Sequence, residues 1–358
     1  MKIKPKKFIN YIPREPHWLT SRKGFYTMER NERVDEFSSN IMKKIYKEID
    51  SYAFRTYPDT DKIYKQVANW QKIKTNQLIL TEGADGGLLR TFQVFISGGD
   101  RVITCNPSFA MYPLYCKMFG AKHFPIDLKV KDYDFYSDVI KKIKKIKPRL
   151  VAIANPNQPI EIMLNLKQIS QICKICLKLN CFVIIDEAYY HFNNVTAKSL
   201  IKKFPNLIVV RTFSKAFGLA GMRIGYTMSN SEIIKYMMSI KPIYEINSVN
   251  IKIVQFFIKN LKIMKDYVKD VSKSRNFFRK FLKTYKIEMI GEYSNTVLFK
   301  LRSKDHVNKV IKYLYKNKFI IRPMTIDGDD SYIRATLGGL KIMKKFTKKF
   351  NFILNKIK

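Results

Sequence analysis

Two ionisable side chains stand where apolar runs end. Asp186 closes CFVIID, and Lys215 follows NLIVVR within TFSK. In an open α/β sheet, ligands lie beyond the carboxyl ends of the strands, so both positions are where chemistry would sit. A carboxylate and a lysine on neighbouring strand ends also make a plain buried ion pair, and position alone leaves both readings open. A third segment, GADGG, follows QLILT and opens a helical pattern. The amides of Gly83, Ala84 and Asp85 can therefore face an anion. Cys173 and Cys176 form a CxxC, but no second CxxC or histidine pair completes a metal site, so no metal is expected. The periodicity of LKQISQICKICLKL instead turns both cysteines toward a core.

The elements that must carry these residues alternate. QLILT (77–81), RVITC (101–105), RLVAIA (149–154), CFVIID (181–186), NLIVVR (206–211) and MRIGYTM (222–228) read as strands, separated by helical patterns such as that over 166–179. Strands apolar on both faces imply a mostly parallel sheet covered by helices on either side. One long helical region is expected from Ser248 to Tyr285. After it, TVLFKL (296–301), a helix near 304–317, FIIRP (319–323), SYIRAT (331–336) and a last helix make a smaller α+β unit. The division expected is an N-terminal arm over 1–35, a large domain over 36–245, and an interdomain helix with a small C-terminal domain over 246–358.

Composition narrows the class. The 358 residues carry 67 Lys and Arg against 29 Asp and Glu, a formal charge of +38. Such a charge invites a nucleic-acid reading. Yet the lysines are spread along amphipathic helical faces, as in IKKIKKIKPR, and no nucleic-acid-binding motif accompanies them, so no specific nucleic acid is expected. Hydrophobic residues at 46% support a folded core rather than disorder. No apolar stretch is long enough to span a membrane. The opening MKIKPKKFINYIPREPHW lacks the apolar run and small-residue site of a secretory signal. With five cysteines, an odd number, a cytoplasmic location is the expectation.

The phrase RTFSKAFGLAGMRIG (Arg211 to Gly225), with IIDEAYYHF, GADGG and a YPD segment, resembles the fold-type-I aspartate-aminotransferase superfamily, most nearly its histidinol-phosphate aminotransferases. The likeness runs in one order from about Glu36 to Phe346. It implies pyridoxal 5'-phosphate as cofactor, with Lys215 as the Schiff-base lysine and Asp186 as the partner of the pyridine nitrogen. A neutral Lys215 could then move the proton between the substrate's Cα and the cofactor. Resemblance further implies Gly83, Ala84, Asp85, Ser214 and Arg223 around the cofactor phosphate, Tyr189 at its phenolic oxygen and Phe109 on its ring. Tyr57, in RTYPD, matches a tyrosine that reaches the partner's active site, which implies a homodimer. Arg334 matches the arginine that grips a substrate carboxylate, and Arg322 a second arginine on the substrate side.

The chain departs from the family in two places. Where an Asn-Pro-Thr-Gly turn is usual it reads NPNQPIE, so the amide at the phenolic oxygen falls to Gln158, with Asn157 as the other candidate; Ile160 and Glu161 replace Thr-Gly. The family's Asn-Glu-Asn-Pro is replaced by SSNIMKK, leaving Asn40 as a substrate-side candidate. The activity expected is transfer of an amino group, from L-glutamate, to a small phosphorylated or otherwise anionic keto or aldehyde acceptor. The alternatives are a decarboxylase of a phosphorylated amino acid on the same fold and, more remotely, a basic binding protein without catalysis.

Overall fold

A computed structural model describes residues 21–130 and 133–357; of the arm expected over 1–35, the first twenty residues lie outside the described ones. After β1 (Tyr26–Thr27), three helices, α1 (Ser39–Lys47), α2 (Ser51–Arg55) and α3 (Asp61–Gln71), precede the alternating region. The large sheet contains β2 (Leu78–Thr81), β3 (Arg101–Asn106), β4 (Lys122–Asp127), β5 (Leu150–Ala154), β6 (Phe182–Asp186), β7 (Leu207–Thr212) and β8 (Gly225–Met228). Their order is β2-β8-β7-β6-β5-β3-β4, and β8 runs against both its neighbours while the rest are parallel.

Every residue of β5 and β7 is buried, because helices cover both faces of the sheet. Side-chain alternation divides the core accordingly. Val183 and Ile185 of β6 join one hydrophobic cluster and Ile184 the other. The covering helices are α4 (Gly83–Phe95), α5 (Met111–Met118), α6 (Phe135–Ile146), α7 (Leu166–Lys178), the short α8 (Tyr190–Asn193) and α9 (Ser231–Ser239). A capping box starts α7: Asn165 and Gln168 each bond the other's backbone N–H at 2.9 Å. Cys173 and Cys176 both face the core from α7, as its periodicity requires.

The expected long helix is two. α10 (Ser248–Lys259) and α11 (Leu261–Thr284) meet at Asn260, whose ψ of 48° is not helical and whose side-chain amide donates to Phe256 O. Asparagine competes for backbone partners in this way and so interrupts helices. FIIRP likewise splits into β11 (Phe319–Ile320), which pairs with β1, and β12 (Arg322–Ile326), which joins another sheet. That second sheet has the order β12-β13-β10-β9, with β9 (Met289–Ile290), β10 (Thr296–Lys300) and β13 (Asp329–Thr336). It is covered by α11, α12 (Lys304–Lys316) and α13 (Leu340–Lys356), over a core rich in aromatics such as Phe278, Phe299, Phe346 and Phe350. The strand read over 222–228 begins only at Gly225, since Arg223 adopts a left-handed conformation (φ 47°).

Candidate active site

Asp186 ends β6 and is 6% exposed. Its carboxylate accepts from Ala188 N at 3.0 Å and from the Tyr112 hydroxyl at 3.2 Å. Burial pushes its pKa up to about 6, with both hydrogen bonds opposing. Lys215 lies three residues beyond the end of β7. Its pKa is pushed down to about 8, first by burial, with repulsion from Arg334 and Arg223 adding to it and attraction to Glu32 and Asp186 opposing. Its Nζ donates to Arg30 O at 3.4 Å and lies 5.9 Å from the Tyr189 ring centre.

A buried ion pair does exist at these strand ends, but between Glu187, next to Asp186, and Arg211, within β7. Arg211 and Glu187 meet at 2.8 Å, each at most 2% exposed. Arg211 also reaches Gln71 at 2.8 Å and lies 3.7 Å from the centre of the Tyr190 ring. Because side chains alternate along a strand, this pair faces away from the side that holds Asp186. Asp186 and Lys215 form no ion pair with each other; the buried ion pair here is that of Arg211 and Glu187.

The start of α4 forms a cradle. Gly83 has φ +74°, and a side chain there would fall 2.9 Å from Nη2 of Arg223. Gly225 opposes it so closely that a Cβ would lie 2.4 Å from Gly83 C and 2.7 Å from Ala84 N. Glycine at both positions lets the first turn of α4 approach β8. Asp85 accepts from the Tyr115 hydroxyl at 2.5 Å. Ser214, buried nearby, receives the Thr212 hydroxyl at 2.9 Å. Helix amides with a guanidinium beside them suit a phosphate.

Tyr189 is buried, accepts from Asn31 Nδ2 at 2.6 Å, and has its phenol pushed up to about 12 by burial. Phe109 is 41% exposed and meets Tyr112 edge-on at 5.9 Å, leaving a ring face open. From the second sheet, Arg334 donates to Glu29 O at 2.7 Å, and its buried Nε has no partner. Burial holds its pKa below the ordinary value, with Arg322 adding to the effect.

Several candidates have their side chains engaged elsewhere or exposed. Asn157 is fully buried and ties its loop to the one after β3, donating to Pro107 O at 2.8 Å and accepting from Ser108 Oγ at 2.5 Å. Gln158 is turned to the second sheet, where it donates to Ser294 Oγ at 2.9 Å and accepts from Thr296 Oγ1 at 2.7 Å. Asn40 is exposed in the first turn of α1, and its side chain makes no hydrogen bond among the described residues. Tyr57 is 74% exposed and stacks on Tyr244 at 4.1 Å. Sequence reasoning passed over Tyr112, although its place three residues after Phe109 at the start of a helix was a usable signal. It also passed over Asn31 and the Glu29 and Arg30 carbonyls, for which the sequence carries no local signal. Among the described residues no cluster of His, Cys, Asp or Glu is placed to hold a metal, and no helix is long and apolar enough to cross a membrane.

Comparison with known proteins agrees with this geometry. Residues 25–344 match the family model for aminotransferase class I and II. The chain is 32% identical over 357 residues to a histidinol-phosphate aminotransferase of Thermoanaerobacter pseudethanolicus, covering 99% of this chain and 96% of that protein. In fold it matches histidinol-phosphate aminotransferase from Sinorhizobium meliloti, solved in complex with pyridoxal-5'-phosphate, at a TM-score of 0.83 and 16% identity, covering 93% and 91% of the two chains. L-threonine-O-3-phosphate decarboxylase from Porphyromonas gingivalis shares the fold at a TM-score of 0.73 and 21% identity, covering 92% and 99%.

Proposed function

Because the chain belongs to the class I and II aminotransferases, we propose that it transfers an amino group from L-glutamate to a small phosphorylated or otherwise anionic keto or aldehyde acceptor. The cofactor is pyridoxal 5'-phosphate, and the residues fit it: a glycine-lined cradle beside Arg223, a buried carboxylate at a strand end, and an exposed Phe109 ring. When bound, the cofactor takes up the amino group and withdraws electrons from the substrate's Cα.

The chain's own groups then have distinct tasks. Asp186, ionised above about pH 6, would face the ring nitrogen and favour its protonated form. Tyr112 and Ala188 N hold that carboxylate in place. Lys215, with its pKa near 8, is partly neutral at physiological pH and can accept and return the Cα proton. Gly83, Ala84, Asp85, Ser214 and Arg223 would hold the phosphate. Tyr189, fixed by Asn31, would donate to the phenolic oxygen. Arg334 and Arg322 would receive the anionic end of the substrate.

The observation that carries this reading is that Asp186 and Lys215 lie at adjacent strand ends, unpaired with each other, with Arg334 close enough to depress the lysine. A second copy of the chain is part of the proposal. Tyr57, Ile243 and Tyr244 are 74%, 77% and 50% exposed, a costly surface for a lone chain. All five cysteines are free and buried, which fits a reducing cytoplasm.

The deciding measurement is the visible spectrum of the protein with pyridoxal phosphate, before and after L-glutamate. Conversion to the pyridoxamine form, absent in Lys215→Ala, is the expected result. Release of carbon dioxide without keto acid would replace the transaminase reading by decarboxylation. Equal kcat/KM for phosphorylated and unphosphorylated acceptors would remove the phosphate from the proposal.

A further inference from the structure

Two of the unusual residues of NPNQPIE, Gln158 and Glu161, act together. Gln158 Nε2 donates to Glu161 Oε1 at 3.0 Å and to Ser294 Oγ at 2.9 Å, while its Oε1 accepts from Thr296 Oγ1 at 2.7 Å. Glu161 Oε2 accepts from the backbone N–H of Tyr293 at 2.7 Å and also from that of Glu292. A loop between β5 and α7 thus grips the loop between β9 and β10 at three consecutive residues, Glu292 to Ser294, and at the first residue of β10. Neither an asparagine nor a glycine could do this, one being a methylene short and the other having no side chain.

The grip has a firm base. Asn155 ties the ends of its loop, accepting from Leu164 N at 2.7 Å and donating to Leu164 O at 3.1 Å, and Asn157 fills the interior. What it holds matters as well. β10 pairs with β13 in the register Leu298↔Arg334 and Thr296↔Thr336. Asn295 of the gripped loop donates to Asn31 O, and Asn31 in turn donates to Tyr189. Arg275 donates to Ser294 O, and Asn193 to Tyr293 O at 3.2 Å.

We infer that Gln158 and Glu161 are positioning residues, a clasp between the large and small sheets that sets the place of Arg334 relative to Lys215. Gln158 is then not a ligand of the cofactor. The clasp acts through β10 and through Asn31, touching neither substrate nor reacting atoms. Its kinetic consequence rests on the aminotransferase reading; its structural consequence does not.

The test is amide hydrogen exchange of the 289–296 segment in cofactor-free and cofactor-loaded protein, run with steady-state kinetics. In Glu161→Gly and Gln158→Asn, exchange at Glu292, Tyr293 and Thr296 should rise at least about tenfold in both forms, since the Glu292 and Tyr293 amides bond the Glu161 carboxylate that Gln158 holds, and the Thr296 amide bonds the Ser294 hydroxyl that Gln158 also holds. Glu161→Gln, which keeps an acceptor, should show a smaller rise. The double variant should show less than the sum of the singles. KM for the anionic acceptor should rise about five- to tenfold with kcat and the cofactor's absorption band nearly unchanged. Unchanged exchange in both single variants overturns the clasp. So does a shift of the cofactor band or of its pH dependence in Gln158→Asn with exchange unchanged, which would make Gln158 a cofactor ligand. If exchange rises as expected but glutamate never converts the cofactor, the clasp stands and the catalytic reading fails.

Discussion

Arg322 and Arg334 face one another as direct partners across β12 and β13. Like charges placed opposite on neighbouring strands repel, and the buried Arg334 is shifted downward partly for that reason. An anion lying between them would relieve the repulsion, which supports the proposal that this pair receives the anionic end of a substrate.

Arg334→Lys keeps the charge but loses the planar fork of donors. Its kcat/KM for an anionic acceptor should fall at least about tenfold, because charge-assisted bidentate contacts are the strong ones. Arg322→Gln should weaken a phosphorylated acceptor by a similar factor while leaving its unphosphorylated counterpart within about twofold. Steady-state kinetics with the matched pair of acceptors checks both.

Asp186 is costly to the fold when no cofactor is present. The folded carboxyl keeps its proton up to about pH 6, whereas an ordinary one releases it near 3.8. Its contribution to stability is therefore complete below the lower value and is lost as pH rises through the upper one. By linkage the cost at neutral pH approaches ~3 kcal/mol. Cofactor-free Asp186→Asn should accordingly be the more stable protein at pH 7.5, by about 1–3 kcal/mol. The advantage should vanish near pH 4. Urea unfolding at several pH values measures it.

Gly225→Ala would place a methyl group 2.4 Å from Gly83 C and 2.6 Å from Arg211 O, against backbone that cannot swing aside. A loss of about 1–3 kcal/mol in stability is expected from such overpacking, together with weaker cofactor binding as the first turn of α4 is pushed away. Gly221→Ala meets nothing within 4 Å and serves as the control. Thermal unfolding and cofactor titration compare the two.

Arg211→Met should be among the most damaging single changes outside the site. It would leave Glu187 buried beside Thr196 and the Ala197 amide without its cation. Breaking one half of a buried pair costs about 3–5 kcal/mol. Replacing Glu187 by Leu in the same protein should recover more than about 1 kcal/mol of that loss. A double-mutant cycle of denaturation midpoints tests the coupling.

Much of this architecture was legible because it rests on local pattern. Apolar runs of five or six residues could only be covered strands, and Asp186 and Lys215 were conspicuous as charges at their ends. GADGG, after a strand and opening a helix, marked a place where amides could face an anion. Less legible were features that depend on a single backbone residue, such as the break at Asn260 and the late start of β8 after Arg223. There, one unusual dihedral angle outweighs a hydrophobic period that continues unchanged through it.

The sequence by itself determined the family, the sheet and the two central ionisable residues, because type and order suffice for these. Only the tertiary structure decided which charges pair. Arg211 and Glu187 meet on the face of the sheet opposite Asp186 because side chains alternate along a strand, and the loop after β7 carries Lys215 to the Arg30 carbonyl instead of to Asp186. It also decided what Gln158 does. In sequence Gln158 stands where a cofactor contact is expected; in space its extra methylene carries it to Ser294 and Thr296, residues more than 130 positions away. Contacts of that separation arise from how two sheets are brought together, and no local pattern encodes them.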